Sequence, residues 1–116
     1  MSLDVSLIAI RPTEVYESNI THNLGRMAAE AGIYTHLWRP QEIGITKAAQ
    51  LIEPLATGLA LLKSDPVRFS AFDSPNGWGL YKDLVQFVDN YLEACRGNPD
   101  ATVSVNRWRG PCTLGL

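Results

Sequence analysis

Ser18-Asn19-Ile20-Thr21-His22-Asn23-Leu24-Gly25-Arg26-Met27 is the stretch on which the fold of this chain turns. At helical spacing, Ile20, Leu24, Met27, Ala28 and Ala31 recur three and four residues apart and share one face. That pattern predicts a helix from about Asn19 to Ala31. Ser18 or Asn19 can cap its first amides, and Gly32 stands where a left-handed C-terminal residue is wanted. Asn19, Thr21, His22 and Asn23 crowd the opening turns with more hydrogen-bonding side chains than one cap uses. This excess marks the stretch as a candidate site as well as a candidate helix.

Working outward, Asp4 to Arg11 reads as a strand of Val, Leu and Ile, ended by Pro12, which removes a ladder donor. Its near-continuous apolar run predicts burial on both faces. Thr13 to Ser18 reads as a connector. Downstream, Ile33 to Ile45 is a second connector, in which Ile33 to Trp38 could form a short strand or a single turn and Gly44 a bend. Ala48, Ile52, Leu55, Leu59 and Leu62 predict a helix over Lys47 to Lys63 capped by Thr46. Pro54 and Gly58 lie inside it, and the proline predicts a kink or a break. Phe69 and Phe72 fit one helical turn, and Ser74-Pro75-Asn76-Gly77 is turn chemistry. Leu80 to Arg96 is the clearest helix, with Leu84, Phe87, Val88, Tyr91, Leu92 and Cys95 on one stripe and Gly97 at its end. Ala101 to Arg107 alternates as a strand with one wet face.

The elements predict an α+β fold of order β-α-α-α-β. Three main helices pack on a two-stranded sheet made by the N- and C-terminal strands. Strict alternation of direction would make those strands parallel, and one extra turn in the Ile33 to Ile45 connector would reverse them. Residues 1–107 form one domain in this reading, and 108–116 a tail.

The 116 residues carry 46% hydrophobic and 19% charged side chains, enough for a core in a single domain. A net charge of −2 disfavours nucleic acid as a partner, since phosphate binding needs a basic surface. There is no apolar run long enough to span a membrane and no signal-peptide pattern, so the expected setting is reducing and intracellular. The two cysteines, Cys95 and Cys112, form no metal-ligand pattern, and Cys95 falls on an apolar stripe as a small buried hydrophobe.

No phosphate loop, nucleophile elbow or paired carboxylate signature occurs, so no catalytic residue, metal or cofactor is assigned. Asn19, His22, Asn23 and Arg26 make a polar stripe at helical spacing, placed near the positive end of the expected helix where an anion is favoured. With Thr21, Trp38, Arg39 and Trp78, they are the candidate ligand-binding residues. Whether they converge is a tertiary question.

The chain resembles small phage- and prophage-encoded proteins of unknown function. The resemblance rests on Asn19-Ile20-Thr21-His22-Asn23-Leu24-Gly25, on Leu37-Trp38-Arg39-Pro40 with Glu42-Ile43-Gly44-Ile45-Thr46-Lys47, on Asn76-Gly77-Trp78-Gly79, and on Tyr91-Leu92-Glu93-Ala94-Cys95 with Pro99-Asp100-Ala101. It implies a setting rather than an activity: an accessory protein of a mobile element in a bacterial cytoplasm. The first functional expectation is therefore a module that binds a small polar or anionic ligand or a host protein, interfering with host machinery or nucleotide signalling. The alternatives are an enzyme using His22 as acid or base, and a homo-oligomeric virion or assembly component.

Overall fold

The computed structural model describes residues 2–8, 14–73, 75, 77 and 79–108. Within them the fold is α+β, with five helices and one three-stranded antiparallel sheet. The strands are β1 (Ser2–Ile8), β2 (Glu14–Thr21) and β3 (Thr102–Trp108), in the spatial order β2-β1-β3. The N- and C-terminal strands are neighbours as expected, and they run antiparallel, with Val5 opposite Val105.

The third strand corrects the reading of Thr13 to Ser18 as a connector and of Asn19 as the start of a helix. Asn19, Ile20 and Thr21 lie in β2, where Asp4 faces Asn19 and Val5 faces Ser18. The period is two: Tyr16, Ser18 and Ile20 turn towards the helices, while Glu17 and Asn19 are exposed. A helical stripe and a strand alternation overlap at Ile20, and pairing to β1 decides between them by satisfying a whole row of backbone groups. β1 itself buries Leu3, Val5 and Leu7, while Asp4, Ser6 and Ile8 are half-buried, so only one face of the sheet is covered. β3 extends one residue beyond the expected boundary because Trp108 pairs with Ser2.

After β2 the chain turns through a 3-10 segment, His22–Leu24, into α1 (Gly25–Glu30). The apolar stripe of Leu24, Met27, Ala28 and Ala31 is buried as its spacing predicted. Gly32 takes φ +81°, the left-handed stop. α2 (Tyr34–Trp38) is a single turn, and a 3-10 turn, Pro40–Ile43, leads to Gly44.

α3 (Ala49–Ser64) runs unbroken through Pro54. Its N-cap is Ala48 rather than Thr46, and the N–H groups of Ala48 and Ala49 are held from outside the helix by the Ala101 and Pro99 carbonyls at 2.9 Å each. Gln50 Oε1 accepts from the N–H groups of Thr46 and Lys47, which precede the helix, at 2.8 Å each. Gly58 has a packing reason: a Cβ there would lie 2.4 Å from Cγ2 of the buried Ile33. α4 (Pro66–Ser70) buries Phe69. α5 (Tyr81–Gly97) buries Leu84, Phe87, Val88, Tyr91, Leu92 and Cys95 and packs on α3 and β2. Its C-terminal cap is Asn98, not Gly97: Nδ2 and the backbone N–H of Asn98 both donate to the Ala94 carbonyl at 3.0 Å.

Burial pushes the Cys95 thiol up to about 12, and raises the Tyr91 hydroxyl too. Cys112, Trp78 and residues 109–116 lie outside the described residues. Among the described residues, no helix is long and apolar enough to cross a membrane.

Candidate functional site

The corner Thr21–Leu24 carries three of the residues singled out in the sequence, Thr21, His22 and Asn23. Thr21 Oγ1 accepts from the Asn23 N–H at 3.3 Å and holds the turn. Gly79 packs against its outside, with φ +120° and an ideal Cβ only 3.0 Å from Asn23 Cβ. A side chain at position 79 would meet both a strained backbone and the corner itself.

His22 points into the protein. Its Nδ1 accepts the indole N–H of Trp38 at 2.7 Å. Trp38 is 2% exposed and stacks on Tyr34 at 5.2 Å between ring centroids. It is therefore a core side chain with its one polar atom satisfied, not the wall of a recess. Arg39 is also removed from the site. It pairs with Glu42 at 3.0 Å, and its guanidinium is held further in its charged form by the Tyr34 hydroxyl and by Glu42.

The remaining candidates divide between two concavities. Asn19 and Thr21 line a groove of about 370 Å³ with Ser18, Ile20 and Leu24, closed on the other side by Asp83, Gln86, Phe87 and Asn90 of α5. Asn23 and Arg26 line a cleft of about 430 Å³ with Ala71, Phe72, Asp73 and Pro75. The expected single pocket is thus two, one on each side of the corner. Strand pairing is the cause, because it swings Asn19 away from Arg26 by removing it from the helix. The dipole argument fails with it: α1 has six residues, too few turns to make a strong positive end.

The charge pattern separates the two concavities. Of the four arginines with described side chains, three hold a carboxylate: Arg39 with Glu42, Arg68 with Glu30 and Arg96 with Glu93. Arg26 is exposed and makes no ion pair with any described residue. Across the cleft, Asp73 Oδ1 already accepts the Tyr81 N–H at 2.6 Å, leaving its second oxygen for a further donor. Phe72 supplies a partly buried ring. Asp73 carries no sequence signal of its own, and Phe72 reads from sequence only as part of a helical turn with Phe69. They become lining residues only in the tertiary fold, where Arg68 of α4 also reaches Glu30 of α1. The groove beside β2 contains no lysine or arginine in its lining.

The two histidines face different surroundings. His36 lines a smaller cleft of about 270 Å³ with Glu53, Pro54, Thr57 and Gly58. Among the described residues, no group of three or more His, Cys, Asp or Glu side chains could hold a metal. Comparison with protein-family models, with curated proteins and with solved structures finds no match to this chain.

Proposed function

We propose that the protein is a small binding module that holds a planar anionic molecule in the cleft between Arg26 and Phe72. The observation that carries the reading is Arg26 itself. A guanidinium in a concavity, without an ion pair among the described residues where the other three described arginines have one, is a ready partner for a carboxylate or phosphate in bidentate geometry. Phe72 offers a face for a flat ring, and the second oxygen of Asp73 accepts a ring amino or hydroxyl donor. The volume is in the range of small-molecule sites. Nucleoside phosphates combine all three features: an anion, a flat ring and exocyclic donors.

The resemblance to phage and prophage accessory proteins supports the setting in which we place this activity. In that setting the module acts in the bacterial host cytoplasm, withholding a nucleotide-like signal from host machinery. The reading assigns no bond-making step. His22 serves the fold in it, through its contact with Trp38.

The test is a thermal-shift panel of nucleoside mono-, di- and triphosphates and aromatic carboxylates. A ligand present at about 100 times its Kd stabilises by about 2.7 kcal/mol, which for a domain of this size raises Tm by about 10 °C. Arg26→Ala should leave the unliganded Tm unchanged and weaken binding about tenfold to a hundredfold, the worth of a charge-assisted contact. A flat response across the panel rejects the reading, as does full binding by Arg26→Ala.

A further inference from the structure

The two edges of the sheet are treated differently. The free edge of β3 is covered where the strand begins: Val103 donates its N–H to the Thr46 carbonyl at 2.9 Å, Ala48 donates to Ala101 at 2.9 Å, and Lys47 bridges to Thr102. The outer edge of β2 has no strand partner among the described residues. Edge strands are commonly blunted by lysine or proline, and Glu14–Thr21 contains neither. The irregularity in its pairing lies at the far end, opposite Leu7 and Ile8, leaving Ser18–Thr21 regular.

Beside this open edge runs the groove already described. Ile20, Leu24 and Phe87 make its floor, all buried. Gln86 and Asn90 stand along its α5 rim, one helical turn apart, both exposed and neither hydrogen-bonded to a described residue. A carboxamide presents an acceptor and two donors, so it can meet both the N–H and the C=O of a peptide backbone. The dimensions agree from both sides. Ser18 to Thr21 spans about 10 Å of strand, and Asp83 to Asn90 about 10 Å of helix. That length matches three to four residues of extended chain.

We infer that the groove between the β2 edge and α5 binds an extended, basic peptide segment of a partner protein by adding it as a fourth strand. Main-chain pairing to Ser18–Thr21 supplies the affinity, and Gln86 and Asn90 meet the peptide groups on the other side. Alternate side chains drop onto the Ile20, Leu24 and Phe87 floor. Charge fixes the kind of occupant. Asp83 lies on the rim and Glu17 stands exposed beside Ser18, while no cation lines the groove among the described residues. A lysine or arginine at the strand's solvent face is therefore favoured. A second copy of this chain, adding β2 to β2, is not, because the strand Glu14–Thr21 offers no lysine or arginine to these carboxylates. This inference uses different residues from the Arg26 cleft and stands independently of it.

The experiment screens pools of acetylated, amidated heptapeptides, randomised except for one fixed residue, by following the backbone amide signals of the intact protein. Pools with a fixed lysine or arginine should shift Ser18–Thr21, Gln86 and Asn90, and pools with a fixed aspartate should not. The best single peptide should lose binding at least tenfold with Gln86→Ala/Asn90→Ala. It should lose as much when alternate peptide nitrogens are methylated, which leaves the side chains intact but removes the ladder donors. The inference is overturned if no pool moves the β2 signals, or if the methylated peptide binds as well as the parent. It is also overturned if sedimentation shows a dimer whose formation alone perturbs Ser18–Thr21.

Discussion

Trp38 donates its indole N–H to Nδ1 of His22 across 2.7 Å, tying a buried ring of α2 to the corner that follows β2. The bond fixes which imidazole nitrogen is the acceptor and holds the Thr21–Leu24 corner against the core. His22→Ala takes away the acceptor from a buried donor, which costs about 1–3 kcal/mol. Urea denaturation should show that loss. Trp38→Phe in the His22→Ala background should then cost less than Trp38→Phe alone, because no N–H remains to be satisfied. Additive effects would show that the contact contributes nothing to stability.

Gly58 of α3 lies directly against Ile33, the residue before α2. Alanine at 58 places its Cβ 2.4 Å from Ile33 Cγ2 and 3.2 Å from Cδ1. Overpacking of this kind costs about 1–3 kcal/mol, against about 1 kcal/mol gained from helix propensity. Gly58→Ala should therefore be destabilising on balance. Ile33→Ala should relieve it, so that the double variant loses less than the sum of the singles in a denaturation cycle.

The folding of residues 24–32 and 80–98 was largely legible, because one uninterrupted stripe names each buried face: Met27 and Ala28 in α1, Leu84, Val88 and Tyr91 in α5. β2 was not, because its inward residues Tyr16, Ser18 and Ile20 include a serine, which weakens the alternation, while Ile20 also completes a helical stripe. Only the neighbouring β1 resolves that ambiguity, and β1 lies outside any local window. The candidate site shares the same dependence. Asn23 and Arg26 were legible as a polar pair, but their partners Phe72 and Asp73 are separated from them by nearly the whole helical layer. Trp38 lacks a local mark of burial for a simpler reason: α2 is a single turn, too short for an apolar stripe to name its buried face.

Alkaline pH should unfold the protein through Cys95. Its thiol ionises near 9.0 when the chain is unfolded and is pushed up to about 12 by burial in the fold. Between those values the unfolded state holds fewer protons, so stability is intact below about 9 and falls as pH rises through the window. Tyr91 and Tyr16, both raised by burial, add to the same trend. Denaturant midpoints measured across this range should decline, and Cys95→Ala should flatten the slope. The native thiol should likewise resist alkylation at pH 8, where an exposed cysteine reacts.

In the proposed function a ligand lies between Arg26 and Phe72. Adding a nucleoside monophosphate to isotope-labelled protein while following backbone amide signals addresses it residue by residue. Saturable shifts are expected at Asn23, Arg26 and Ala71–Asp73 alone, with their midpoint raised about tenfold to a hundredfold by Arg26→Ala and the remaining spectrum unchanged. Shifts that cluster elsewhere, or a midpoint that Arg26→Ala leaves where it was, would overturn the proposal.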